Sequence, residues 1–196
     1  PVFVFMIGAC LSQGRAQTKS AVSYKNPVVD IAMPDPTVIK AADGYFYVYA
    51  TESTRNVPIM KSKDLVEWTY CNTAFTNKTR PRFEPKAGIW APDINYINGK
   101  YVLYYAMSVW GGEQTCGIGV ATANSPQGPF TDHGKMFRSN EIGVQNSIDP
   151  SLLQYEGRNY LVWGSFRGIY VIELTADGLS IMSGAKKKRI AGTAFE

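Results

Sequence analysis

The chain has 196 residues, 45% hydrophobic and 13% aromatic, with 18 glycines and 11 prolines. That balance excludes a disordered or collagen-like chain and suits a turn-rich β protein. The formal net charge is +4, all of it supplied by the run Lys186-Lys187-Lys188-Arg189. The run reads as a solvated loop, and no wider basic stripe supports nucleic acid as a partner.

Residues 1–20 differ in character from the rest of the chain. Val2-Phe3-Val4-Phe5-Met6-Ile7-Gly8-Ala9 is a continuous apolar run, too short to span a bilayer. Small and polar residues come next, with Gly14-Arg15-Ala16 as a cleavage site. The segment reads as the remnant of a secretory signal, which predicts a secreted, periplasmic or outer-surface protein. A lipoprotein signal is the second reading, with Ile7-Gly8-Ala9 ahead of a lipid-accepting Cys10. A buried first strand is the third. Cys71 and Cys116 remain beyond this segment. An oxidising compartment permits a disulfide between them, and two separate buried thiols fit equally well. Two cysteines and the single His133, read as part of a turn, give no metal-site spacing.

Residues 21–196 read as one domain, the N-terminal part of a larger one. Its units carry an acidic phrase: Asp35-Pro36-Thr37-Val38-Ile39, then Asp93-Ile94-Asn95-Tyr96 led by Trp90-Ala91-Pro92, then Asp149-Pro150-Ser151-Leu152-Leu153. The acids recur about every 57 residues, close to the length of a propeller blade. A glycine turn follows each phrase: Asp43-Gly44, Asn98-Gly99 and Glu156-Gly157. Asn98-Gly99 is the strongest hairpin signal, because a type I′ turn needs positive φ at both central residues, and Glu156-Gly157 is the weakest.

An aromatic strand comes after each turn: Tyr45 to Tyr49, Tyr101 to Tyr105 and Tyr160 to Trp163. A third strand follows in each unit, over 57–63, 117–123 and 168–174, and then a turn with an apolar plug. Short alternating runs bounded by Gly, Asn and Asp predict strands, and no stretch keeps a helical period. A fourth, shorter strand would complete a blade. The fold class is therefore all-β, a β-propeller covered for about three blades plus the start of the fourth. A smaller β-sandwich is the alternative.

A repeat that sets a carboxylate at one point of its unit gathers those carboxylates at the hub. Asp35, Asp149 and Glu196 of the next unit are the candidates. A glycosidic bond is cut by two carboxyl groups with different tasks, one giving a proton and one ionised. Clustered acids help create that difference, since like charges push one pKa up. Against this, Asp before Pro commonly opens a turn or caps a strand, and a shared folding role explains the pattern as readily.

Five phrases carry a family resemblance: Pro34-Asp35-Pro36, Ser62-Lys63-Asp64-Leu65-Val66-Glu67-Trp68, Gly88-Ile89-Trp90-Ala91-Pro92-Asp93, Asn146-Ser147-Ile148-Asp149-Pro150-Ser151 and Gly164-Ser165-Phe166-Arg167-Gly168-Ile169. From Pro27 to Glu196 the chain resembles glycoside hydrolase family 43, five-bladed propeller enzymes acting on arabinan and xylan side chains. The resemblance implies Asp35 as general base, Asp149 as the residue that orients the acid and tunes its pKa, Glu196 as general acid, and inversion at the anomeric carbon. The Asn146 phrase and Gly164-Ser165-Phe166 are most similar to the α-1,5-arabinanase branch, although Arg167 stands where a small or aromatic residue is usual.

Trp90, Asp93, Asn146, Ser165 and Arg167 are the candidate substrate-binding residues. Trp90 has a blade-core plug as its other reading. Asp93, placed at the repeat position of the catalytic acids, is expected to hold a buried hydrogen bond. No cofactor is required by this sequence. The resemblance implies an axial calcium in the full-length protein, held partly by a histidine of a late blade, and a polysaccharide or oligosaccharide as partner.

Other members of that family act as β-xylosidases or α-L-arabinofuranosidases. Retaining β-fructosidases, on a related propeller, carry Asn-Asp-Pro-Asn-Gly where this chain has Met33-Pro34-Asp35-Pro36-Thr37. A propeller that only binds glycan or protein would not need acids matched in position.

Overall fold

A computed structural model describes residues 23–192. The segment read as a signal, with Cys10, and Glu196, expected in a fourth blade, lie outside the described residues. Three four-stranded antiparallel sheets follow one another along the chain. The first holds β1 (Thr37–Lys40), β2 (Phe46–Tyr49), β3 (Pro58–Ser62) and β4 (Thr69–Thr73). The second holds β5 (Gly88–Ile97), β6 (Lys100–Ser108), β7 (Gly117–Ala123) and β8 (Thr131–Arg138), followed by the short helix α1 (Ser139–Ile142). The third holds β9 (Ser151–Tyr155), β10 (Arg158–Ser165), β11 (Gly168–Leu174) and β12 (Lys188–Ala191). The sheets are blades. Their innermost strands β1, β5 and β9 abut in sequence around a common hub.

β6 shows why the blades stack. Side chains alternate across a strand. Tyr101, Leu103, Tyr105 and Met107 enter a core shared with the first blade, beside Tyr49, Ile59 and Phe75. Val102, Tyr104 and Ala106 enter a second core shared with the third blade, beside Leu161, Trp163 and Ile172. Both faces are covered, so the strand is a near-continuous apolar run and not an apolar-polar alternation. The first and third blades instead leave Val38, Tyr70, Leu153, Tyr155 and Ile190 exposed.

The hairpins differ from expectation in one respect. Asn98 and Gly99 have φ of 49° and 81°, and Glu156 and Gly157 have 48° and 73°, so the weakest signal forms the same tight turn. In the β1–β2 loop of the first blade only Gly44 has positive φ, and the loop is longer, closed by Gly44 N–H to Ala41 O at 3.0 Å.

Two further expectations change. Lys188 and Arg189 are not loop residues, because they open β12 and pair with Val171 and Tyr170, while staying exposed. His133 is not in a turn. It lies in β8, where the register slips, and its Nε2 meets Thr122 Oγ1 at 2.8 Å. Cys71 and Cys116 are separate free thiols, the first half-buried and the second buried.

Strand pairing also corrects the register of the repeat. Thr37, Asp93 and Ser151 are cross-strand partners of Tyr49, Tyr104 and Val162. Each of these partners lies five residues after the glycine of its hairpin turn. Asp93 is therefore equivalent to Thr37 and Ser151. The position of Asp35 and Asp149 is taken in the second blade by Ala91, which also precedes a proline and also has positive φ, 39°. The acid is the most conspicuous letter of the phrase, but the X-Pro step is what the blades share.

Asp93 has a different task. Its Oδ2 accepts the N–H of Leu152 at 2.7 Å, as Thr37 Oγ1 accepts the N–H of Ile94 at 3.4 Å, so each bond ties one blade's inner strand to the next. Burial raises the Asp93 carboxyl above the usual range, partly offset by the Leu152 N–H and the side chains of Asn95 and Thr37. Asp93→Ala leaves the Leu152 N–H unpaired and should cost about 1–3 kcal/mol. The expected outcome is a lower Tm with kcat nearly unchanged well below it. An unchanged Tm with lost kcat would put Asp93 in the chemistry.

Candidate active site

A cleft of about 700 Å³ opens beside the hub, lined among others by Asp35, Thr51, Trp90, Trp110, Glu113, Asn146, Asp149, Ser165 and Phe166. Asp35 and Asp149, remote in sequence, thus reach one cavity from the first and third blades. Both precede a proline and the first residues of an innermost strand. Their φ values are 49° and 55°, a left-handed conformation rare outside glycine. Such backbone is kept where surrounding structure enforces it and clusters at functional sites.

The two acids sit in different surroundings. Asp149 lies partly against the cleft wall. Desolvation first, and the negative charge of Asp35 second, raise its carboxyl above the usual range, while its outer edge stays open to solvent. Asp35 Oδ2 accepts the hydroxyl of Thr51 at 2.6 Å. Oδ1 has no donor among the described residues. One acid is thus held by a hydroxyl and the other is partly desolvated beside its charge.

Of the predicted binding residues, Trp90, Asn146 and Ser165 line the cleft. Trp90 combines both of its readings. It faces the cavity, and its half-buried indole also packs on the second core. Its ring meets that of the fully exposed Trp110 at 5.8 Å between centroids, tilted 53°. Gly88 makes room for it, since a Cβ there would lie 2.4 Å from the indole Nε1. Asn146 is buried in a left-handed conformation, φ 55°, and donates from Nδ2 to Ser165 Oγ at 2.7 Å.

Two predicted residues do not line the cavity. Asp93 is used between blades. Arg167 Nε pairs with Glu113 at 3.2 Å, and its guanidinium lies 5.1 Å from the Phe166 ring centre, both of them residues of the lining. Its long side chain is taken up by that ion pair. Glu196 lies outside the described residues.

Thr51, Trp110 and Glu113 were missed by sequence reasoning. Trp110 had a signal, a lone tryptophan before Gly111-Gly112 in a turn-rich stretch. Thr51 and Glu113 had none, because their positions acquire meaning only when blades are set side by side. Among the described residues no three His, Cys, Asp or Glu side chains stand together as a metal donor set. The histidine that the resemblance implies for an axial calcium belongs to a late blade, outside the described residues.

The sequence profile of glycosyl hydrolases family 43 matches residues 24–196. The chain belongs to this family. Among curated family 43 relatives, the extracellular endo-α-(1→5)-L-arabinanase 1 of Bacillus subtilis is 38% identical over 140 residues, covering 67% of this chain and 43% of the relative. Among solved structures, the Cellvibrio cellulosa α-L-arabinanase complexed with arabinohexaose superposes with a TM-score of 0.72 at 27% identity, covering 83% of this chain and 54% of that one. An exo-1,5-α-L-arabinanase from a bovine ruminal metagenomic library has a TM-score of 0.69 at 30% identity, covering 86% and 58%. The chain spans about half the length of these relatives, and its three blades are part of the five-bladed family 43 propeller.

Proposed function

We propose that the full-length protein is an inverting glycosidase that hydrolyses the O-glycosyl bonds of α-1,5-linked arabinan. Asp35 is the general base, Asp149 orients the acid and tunes its pKa, and Glu196 is the general acid. The observation that carries this reading is the meeting of Asp35 and Asp149 in one cleft, in unlike surroundings, on a family 43 fold. The names of the relatives, arabinanases of endo and exo type, support arabinan as substrate.

The chemistry follows from the residues. Trp90 and Trp110 offer indole faces for sugar rings, and Asn146 and Ser165 offer polar contacts below them. Asp35 takes a proton from a water molecule as that water attacks the anomeric carbon. Glu196 gives its proton to the leaving oxygen. The base and the acid of an inverting enzyme stand roughly 6.5–9.5 Å apart so that the water fits. The negative charge of Asp149 beside the acid favours the acid's protonated form.

The apolar run in residues 1–20 and the extracellular Bacillus relative support export, with residues 21–196 as the N-terminal part of the catalytic domain. Among the described residues no helix is long and apolar enough to cross a membrane. A lipid anchor at Cys10 is the alternative attachment.

Digestion of linear α-1,5-arabinan by the full-length protein, read by chromatography, should release arabinose or short arabino-oligosaccharides. Release from xylan with none from arabinan would replace the substrate with that of the β-xylosidase or arabinofuranosidase members. No release from either would leave a propeller that only binds glycan or protein.

A further inference from the structure

Thr51 bridges two blades at the catalytic cleft. Its Oγ1 accepts the N–H of Ala91 at 2.7 Å and lies 2.6 Å from Asp35 Oδ2. A hydroxyl has one proton. With Ala91 already donating to it, that proton goes to Asp35. The backbone N–H of Thr51 also donates to Pro34 O at 2.9 Å, so the residue holds the Asp35 turn through main chain and side chain together.

The next residue clamps the bridge. Glu52 N–H donates to Ile89 O at 3.1 Å, and Ile89 N–H returns to Glu52 Oε1 at 3.0 Å. Buried Arg80 pairs with Glu52 and donates from Nη2 to Ala87 O at 2.7 Å. Burial would raise the Glu52 carboxyl. Arg80 and the N–H groups of Asn56 and Ile89 outweigh it and hold the group below the usual range, so the pair is charged. Segment 51–52 is thereby fixed to the start of β5 at both Ile89 and Ala91.

The other blades supply an internal comparison. Gly164 N–H donates to Ile148 O at 2.9 Å, the bond that Thr51 makes to Pro34. In the second blade Ala106 pairs with Trp90 at the same place. The equivalents of Thr51 are therefore Ala106 and Gly164, and the blades form without a hydroxyl there. Among the described residues Asp35 receives such a hydroxyl, while Asp149 at the matching position does not.

We propose that Thr51 is a positioning residue for Asp35: its hydroxyl, aimed by the amide of Ala91, holds Oδ2 and leaves Oδ1 to accept the proton of the attacking water. This rests on the reading of Asp35 as the base. Without the hydroxyl the carboxylate is free to rotate about its χ2 axis, and misplacement on the order of 1 Å can cost about a hundredfold in rate.

The test is steady-state kinetics on arabinan with the full-length enzyme. Thr51→Val keeps the shape and removes the hydroxyl. It should lower kcat about 10- to 100-fold with KM within about twofold, the pattern of an interaction used in the transition state. Thr51→Ser should recover kcat to within a few fold and melt close to the wild type, while Thr51→Val, which leaves the Ala91 N–H unpaired, should melt somewhat lower, so kcat is compared well below its Tm. If Thr51→Val keeps wild-type kcat while Asp35→Asn is inactive, the inference fails and the reading of Asp35 stands. If Thr51→Ser is as impaired as Thr51→Val, the hydroxyl is not the agent and the inference is overturned. If Asp35→Asn is itself fully active, the underlying reading falls.

Discussion

Asp35→Asn is expected to lower kcat of the full-length enzyme roughly a hundredfold to ten-thousandfold, the range that a positioned acid or base contributes. KM should stay near the wild-type value. The amide matches the carboxyl in size and still accepts the Thr51 hydroxyl through its oxygen, so the turn at φ 49° is kept. What is lost is the ability to take a proton from water. The cleft lining at Trp90, Trp110 and Asn146, proposed to meet the sugar, is untouched. Near-normal turnover in this variant would remove Asp35 from the chemistry.

Asp149→Asn is expected to cost a similar factor in kcat, but with a different pH signature. On the proposed reading Asp149 acts beside the acid, and a neighbouring negative charge favours a protonated carboxyl. Removing it lowers the pKa of the acid. The alkaline limb of the kcat/KM profile should therefore move to lower pH, because the acid loses its proton sooner as pH rises. The acidic limb, set by the base, should move less. The carboxyl of Asp149 is itself raised, by desolvation first and by the charge of Asp35 second. An unshifted alkaline limb would leave Asp149 with an orienting role alone.

Much of the fold was legible because each signal was local. Asn98-Gly99 announces its own turn. The runs 117–123 and 168–174 coincide with β7 and β11, since strands packed between blades are rich in apolar residues. The register of the repeat was legible only in part. Aligning on carboxylates put Asp93 with Asp35 and Asp149, whereas the backbone aligns Ala91 with them. Proline and left-handed φ, not charge, define the step into an inner strand.

The site divides the same way. Asp35, Asp149, Asn146 and Ser165 stand in phrases whose composition marks them. Thr51 and Glu113 act across blade boundaries, at positions fixed by pairing that no local pattern encodes. Arg167 is the converse case, a residue marked by its phrase that pairs with Glu113 and is not itself part of the lining.

The central claim is that acids from different blades converge on one cleft and activate a water there. Proton NMR of the first products formed by the full-length enzyme from an α-1,5-linked arabino-oligosaccharide tests it most directly. The account predicts that the new reducing end appears first as the β-anomer and equilibrates afterwards. Initial appearance of the α-anomer would mean net retention, and Asp35 would not be activating the attacking water.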